Sequence, residues 1–552
     1  MISLRYQPIV VTLASLIAFI LLLNLVFLYY SVGDKLWIFY NSDSLYLPYL
    51  YQDLITRHGK LSEWIFAATP YFFPDTLIYF ILAGISQNLK LSIVLYAITQ
   101  FTLYYWLIIA IGKKIIKNPN DIAIFHLSAL ISLLLLAKGY LQQETLMMGL
   151  ISQSHFGTAL MFLLGLLLVL NTFSSQSLWN YFFLFVVCFL TAFSDIIYLV
   201  QFFIPAIISL GIMYYFSNNS PINKIYVKNI WMISLSCVSS YLFYRSKILP
   251  IHLDTYTNGL RRIYLNELVG GAKKIIYNFS IFYQSNTIVF IFLMLYTVFS
   301  VHYLTKEFLC HSRRNLPLHA FNFTIILLFS TIIFGLISLL FVDNNLMAGN
   351  FIGLRHCIPF IIFPVFLGIP IFITMYTHFG KYLSKYFLYV VIVMLSYAYC
   401  FIPQGSSLSN IINFYPESVA CLDSYANKYH LKNGMTYYFW ESRLNSFLSK
   451  KNLNLVNVMH DLSSGPRPRL YFNTLHDFKN KDFNFLLVHN DHMIDPDFVS
   501  KMHQFNKKYG KPSIEFTCPA WNNKKNTVYV YQTGRLNKDW NDEFFEKLVS
   551  VL

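Results

Sequence analysis

The sequence predicts a polytopic α-helical membrane protein of about eleven spans, followed by a C-terminal soluble α/β domain on the outer face. Three observations predict it. Of the 552 residues, 56% are hydrophobic and only 12% charged, against roughly 25% charged in ordinary soluble domains. Apolar runs long enough to cross a bilayer recur throughout residues 1–402. Beyond Pro403 the chain turns polar and alternates short apolar strands with helical stretches.

The first span, Ile9 to Tyr30, follows only Arg5 as a positive flank. It has no small-residue cleavage site, so it is expected to be a retained helix rather than a removed signal. Further runs fall at 91–111, 122–138, 156–172, 178–194, 196–216, 229–244, 285–305, 320–341, 357–377 and 386–402. Thr76 to Ser86 is apolar but short, which fits a re-entrant or interfacial helix. Fifty-two Phe and 41 Tyr suit a lipid-facing surface with aromatic belts.

Charge sets the orientation. With the N-terminus inside, the cytoplasmic loops are 112–121, 173–177, 217–228, 306–319 and 378–385. All but the second carry Lys or Arg with little acid, as the positive-inside rule requires. The net charge of +15 lies mostly in these loops and in the tail, so it reports topology and contact with anionic lipids, not nucleic acid. An odd number of spans then puts the tail outside. The outer face collects five separate stretches: the first loop, 33–90; the segment 139–155; the Ser194-Asp195 turn; the loop 245–284; and the segment 342–356.

The tail, 403–552, reads as a small α/β domain with a partly parallel sheet. Strands are expected at Met435–Trp440, Leu453–Val458, Phe485–Val488, Ser513–Thr517 and Thr527–Tyr531, and helices at Ser442–Lys450 and Pro496–Tyr509. It has no GxGxxG and no phosphate-binding loop, and an accessory or acceptor-docking role is expected. Seven cysteines show no metal-site spacing. A Cys421–Cys518 disulfide is open only to a tail outside the cytosol.

The candidate site residues lie on the outer stretches. Asp43, in Asn41-Ser42-Asp43-Ser44, is either a general base for an acceptor hydroxyl or a turn residue bonded to its own backbone. Asp53 sits on an expected solvated helix face. Asp75, after Pro74, fits an N-cap for the next helix, a position that also suits substrate binding. Glu144 and His155 flank segment 139–155, and Asp195 lies near membrane depth, where an ionised side chain costs about 2.5–3.5 kcal/mol at the bilayer centre. Loop 245–284 carries Arg245, Lys247, Arg261, Arg262, Lys273 and Lys274 against the positive-inside rule; it is either a phosphate clamp, a contact with anionic headgroups, or a loop on the other side of the membrane. Arg355 and His356, at a span mouth, are either a second cationic point or a snorkelling pair at the interface.

This pattern resembles the GT-C class of integral-membrane glycosyltransferases. The resemblance covers the architecture of residues 1–400: many spans, an acidic residue soon after the first helix, and a polar outer face. It implies a sugar carried on a polyprenyl phosphate, a cell-envelope glycan or glycolipid acceptor, inversion at the anomeric carbon, and Asp43 as base or acceptor-orienting group. It also implies that Arg261, Arg262 or Arg355 holds the carrier phosphate. Asp53, Asp75, Glu144, His155, Asp195 and His356 are the further substrate-binding candidates of the expected outer face. Ser42-Asp43-Ser44 holds one acid and no paired carboxylate, so no metal or other cofactor is assigned. A bacterial inner membrane with a periplasmic tail is the expected setting. The rival functions are a transporter or flippase of lipid-linked glycans, a membrane acyltransferase relying on His and Asp, and a scaffold displaying the tail.

Overall fold

The computed structural model describes residues 7–66, 69–116, 155–217, 221–246, 287–309, 316–340 and 369–376. It also describes 402–545 apart from 459–467, 470–472, 491–495, 521–523, 538–539 and 541–542, with short pieces elsewhere. The protein is mostly helical, with a sheet-containing C-terminal region.

Among the described residues, helices of eight residues or more include α1 (Gln7–Tyr30), α2 (Leu77–Ser86), α3 (Leu89–Ile115), α4 (Phe156–Ser174), α5 (Leu178–Ser194), α6 (Ile204–Phe216), α7 (Asn223–Arg245), α8 (Thr287–Leu309), α9 (Leu316–Leu340) and α10 (Ile369–Tyr376). In the tail follow α11 (Glu417–Ala426), α12 (Phe439–Leu448) and α13 (Pro496–Tyr509). Among the described residues five segments are long and apolar enough to cross a membrane: Leu13–Tyr30, Leu89–Ile115, Phe156–Ser174, Leu199–Phe216 and Ala320–Ile337. Thr76–Ser86 was expected to be short, and α2 has 10 residues.

Local chemistry sets the helix ends. The Asn88 side chain accepts from the Lys90 and Leu91 N–H groups, satisfying two orphan donors of α3, and Lys113 and Lys114 sit in its last turn, where the helix dipole favours cations. Ser177 caps α5 through the Trp179 N–H. Helix α4 lies at the centre of the bundle: 83% of its apolar window is buried, against 39% for α1. Its Phe162 stacks on Phe363 with centroids 3.8 Å apart, and its Phe173 meets Tyr226 of α7 and Phe323 of α9 edge-on. Such aromatic pairs favour offset or perpendicular geometry.

Among the described residues eight strands form two sheets. The larger belongs to the tail, in the order β4 (Asn454–Asn457), β3 (Asn433–Thr436), β6 (Phe485–His489), β8 (Lys525–Val530), β7 (Ile514–Pro519). Strands β4, β3 and β6 run parallel, and β8 and β7 antiparallel. Central β6 reads FLLVH because both of its faces are covered. Leu486 and Val488 join Phe498, Met502 and Phe505 of α13 in one core, while Phe485 and Leu487 join Leu422 and Ala426 of α11 in another. A Cys421–Cys518 disulfide links α11 to β7. The expected strand Met435–Trp440 ends at Thr436, and Phe439 and Trp440 open α12 instead. Their aromatic side chains favour strands, but contacts of this turn with the first loop decide the local structure.

The smaller sheet joins three distant stretches. Strand β1 (Trp64–Phe66) of the first loop pairs in parallel with β2 (His252–Leu253) and antiparallel with β5 (Asn473–Thr474). The loop 33–90, the start of loop 245–284 and the tail therefore meet at one end of the bundle. The tail's first residues lie there too. Ser407 N–H donates to Ser31 Oγ at 3.0 Å, Tyr40 donates to the Ile411 carbonyl, and Lys90 Nζ donates to the Phe414 carbonyl at 3.0 Å.

Candidate functional site

Two polar clusters lie at this end, joined by a layer of rings. The first is built on the ends of α4 and α5 and on the turn before α2. His155 Nδ1 lies 2.6 Å from Asp195 Oδ2, and Thr158 donates to the same oxygen. The Ile197 N–H donates to Asp195 Oδ1 at 3.0 Å, and Tyr71 Oη lies 3.3 Å from His155 Nε2. Asp75 accepts from Tyr96 of α3. Tyr71 and His155 both hold positive φ, 57° and 59°, a backbone state that non-glycine residues rarely occupy and that surrounding contacts must enforce.

Three of the expected site residues, Asp75, His155 and Asp195, thus come together from separate stretches. All are buried, at 3%, 5% and 1% exposure. Asp75 does not cap the following helix. Its carboxylate turns inward and lies against Gly157, where a Cβ would come within 2.3 Å of Oδ2. Burial raises the Asp75 carboxyl above its ordinary range, against the lowering bond from Tyr96, and the nearby Asp195 charge adds to the rise. Asp195 is driven up by its own burial, but His155, Thr158 and the Ile197 amide outweigh this and hold it low. Two acids side by side in opposite protonation tendencies follow from these partners. Gly157→Ala is expected to force Asp75 aside and to cost about 1–3 kcal/mol, read as a fall in the thermal midpoint of the purified protein.

The second cluster clamps the first loop against the tail. Asp53 is not on a solvated face. It is fully buried, accepts from Trp64 Nε1 at 2.7 Å and lies 3.3 Å from His476 Nδ1. Its side chain rests on Gly59, where an added Cβ would meet it at 2.4 Å. Arg57 reaches Tyr49 Oη at 3.3 Å and Asp477 Oδ1 at 3.5 Å. Arg443 of α12, 2% exposed, donates to the Ser42 carbonyl at 3.1 Å and to Asn473 Oδ1 at 3.4 Å, with its guanidinium 5.7 Å from the rings of both Tyr46 and Tyr49. Ser42 Oγ donates to the Phe439 carbonyl at 2.5 Å. Burial lowers the Arg443 pKa, while Tyr49, Tyr46 and the carboxylates of Asp43 and Asp477 act to raise it. Asp43 is half-buried and sits in the turn held by these contacts.

Burial also raises the Asp477 carboxyl to about 6, with Arg57 pulling it back. A folded-state pKa above the unfolded 3.8 means that this group favours folding most below the unfolded value. The contribution is lost as pH rises through about 6. Melting curves of the wild type and Asp477→Asn between these values are expected to diverge as pH rises, with the variant showing the shallower pH dependence. Parallel curves would remove Asp477 from the clamp.

A run of rings connects the clusters: Tyr49 to Trp64 at 6.2 Å, Trp64 to Phe66 at 6.0 Å, Phe66 to Phe72 at 5.0 Å and Phe72 to Phe193 at 6.1 Å. The residues that sequence reasoning missed are Tyr71, Tyr96, Thr158, Arg443, His476 and Asp477. Neutral hydroxyls and tail residues carry no pattern that marks them before folding brings them close. Glu144, Arg261, Arg262, Arg355 and His356 lie outside the described residues. Among the described residues no group of three His, Cys, Asp or Glu is placed to hold a metal ion. No protein-family model and no curated protein matches the sequence.

Proposed function

We propose that the protein is a membrane glycosyltransferase. In this proposal it moves a sugar from a polyprenyl-phosphate carrier to a cell-envelope glycan or glycolipid acceptor at the outer face of an inner membrane. The observation that carries the proposal is the convergence at one bundle end of the Asp43 loop, the Asp75–His155–Asp195 cluster, the start of the basic loop 245–284 and the tail. A lipid-linked donor is reached at a membrane edge, and a tail with a disulfide suits an oxidising compartment.

The acceptor oxygen attacks the anomeric carbon as the bond to the carrier phosphate oxygen breaks. The acceptor proton passes to Asp43, which stays half-buried and within reach, unlike the sealed Asp75 and Asp195. Negative charge grows on the leaving phosphate, and the cations of loop 245–284, Arg261 and Arg262 among them, stabilise it more in the transition state than in the ground state. His155 and Asp195 position the Tyr71–Asp75 turn. An acyltransferase would use this same dyad as its base, yet both members are buried and Nε2 of His155 already faces Tyr71.

The test is transfer itself. Purified protein in lipid vesicles, given radiolabelled polyprenyl-phosphate sugars and isolated envelope glycolipids, is expected to label the glycolipid. No transfer from any of these donors would overturn the proposal.

A further inference from the structure

The tail sheet has a topological switch point. From β3 the chain passes through α12 to β4 on one side, and β6 then lies on the other side of β3. In open sheets with parallel strands, ligands bind outside the carboxyl ends of the strands at such a point. Six residues gather there. Tyr438 and His489 follow or end β3 and β6 and stack with centroids 5.0 Å apart. Asn526 pairs in register with His489 and donates through Nδ2 to Glu441 of α12. Thr527 Oγ1 donates to Asn490 Oδ1 at 2.8 Å.

Glu441 and Asn526 are 0% and 1% exposed, an acid and an amide buried together at the end of the sheet. Asn526 Oδ1 has no hydrogen-bond partner among the described residues. Tyr438 and Asn490 are half-buried and form the rim. None of the six is Lys or Arg, and exposed Lys525 beside Asn526 is the nearest cation in sequence on β8. A half-buried amide and ring at the rim, backed by a buried carboxylate, amide and imidazole, suit a neutral ligand rich in hydroxyls, which hydrogen-bonds at Asn490 and lays its apolar face on the Tyr438 ring.

We infer that the carboxyl edge of the tail sheet, lined by Tyr438, Glu441, His489, Asn490, Asn526 and Thr527, binds the glycan part of the acceptor. The role as acceptor site rests on the proposed transferase function; the binding of a glycan does not. The first turn of α12 links this site to the membrane. Glu441 faces β8, while Phe439 and Arg443 on the other side of the helix hold Ser42, and Trp440 meets Trp37 of the first loop at 5.5 Å. About one helix diameter, some 10 Å, separates the two sides. The acceptor spans Glu441 and Asp43 only as an extended chain of several sugars.

The test uses the full-length protein in detergent, without donor, on an array of neutral oligosaccharides. Wild type is expected to bind at least one class, and Glu441→Gln and Asn490→Ala to weaken that binding about tenfold each. Asn490 is half-exposed, so its truncation leaves the sheet folded, and an unchanged thermal midpoint confirms this. No binding by the wild type, or equal binding by both variants, overturns the site. Glycan binding without sugar transfer would leave this site standing and remove the transferase function. Transfer with binding untouched by the variants would do the reverse.

Discussion

Asp43→Asn is expected to reduce sugar transfer by about 10²–10⁴-fold, the usual contribution of a positioned general base, while the thermal midpoint stays near the wild-type value. The side chain keeps its size and loses its charge with the capacity to take a proton; Arg443, on which that charge acts, keeps its bonds to the Ser42 carbonyl and Asn473 Oδ1. Its turn is held from both sides by groups that the substitution does not touch: the Ser42 carbonyl by Arg443, Ser42 Oγ by the Phe439 carbonyl, and the Ser44 N–H by Asn41 Oδ1. A loop fixed this firmly makes Asp43 a fair probe of chemistry, because loss of activity without loss of stability points to the proton step. Equal transfer by wild type and variant would take Asp43 out of the mechanism and leave it a turn residue.

His155→Ala has the largest expected effect on stability, a loss of about 3–5 kcal/mol, because it strands the buried Asp195 carboxylate. Thr158 and the Ile197 amide remain as partners, but neither carries a charge. The coupling is checked by the double variant His155→Ala, Asp195→Asn. It is expected to be more stable than the sum of the two single losses allows, since removing the charge removes most of the penalty. Additive losses would mean that the 2.6 Å contact contributes little.

Much of this was legible in the sequence. The helices α1, α3 and α4 fall where hydropathy puts them, because a membrane-length apolar run has few other ways to satisfy its backbone, and the shorter α5 also matches its apolar run. In the tail, β4, β6, β7, β8 and α13 follow the alternation of short strands and helices within a few residues. The sequence singles out Asp75 as a cap that also suits substrate, His155 as flanking segment 139–155, and Asp195 as an ionisable group near membrane depth, and folding brings the three to one cluster. Their local roles were not legible. Asp75 follows a proline in a capping position, yet Tyr96, which pulls its carboxylate inward, lies on another helix. Asp53 has the pattern of a solvated face, but the surface that buries it comes from His476 and the β1–β5 pairing, more than 400 residues away by the sequence separation of 423. The tail's part in the first loop was invisible for the same reason: Arg443 is one arginine among many until its guanidinium sits between Tyr46 and Tyr49.

The account depends on sidedness, and single cysteines tested with a membrane-impermeant thiol reagent measure it. The exposed positions Lys60 in the first loop, Ser246 at the end of α7 and Lys525 in the tail, each changed to Cys in a background where the free cysteines are serine, are expected to label from outside intact cells. Lys113, at the opposite end of α3, is expected to label only after the membrane is opened. Labelling of Lys60 and Ser246 from opposite compartments would contradict the shared site.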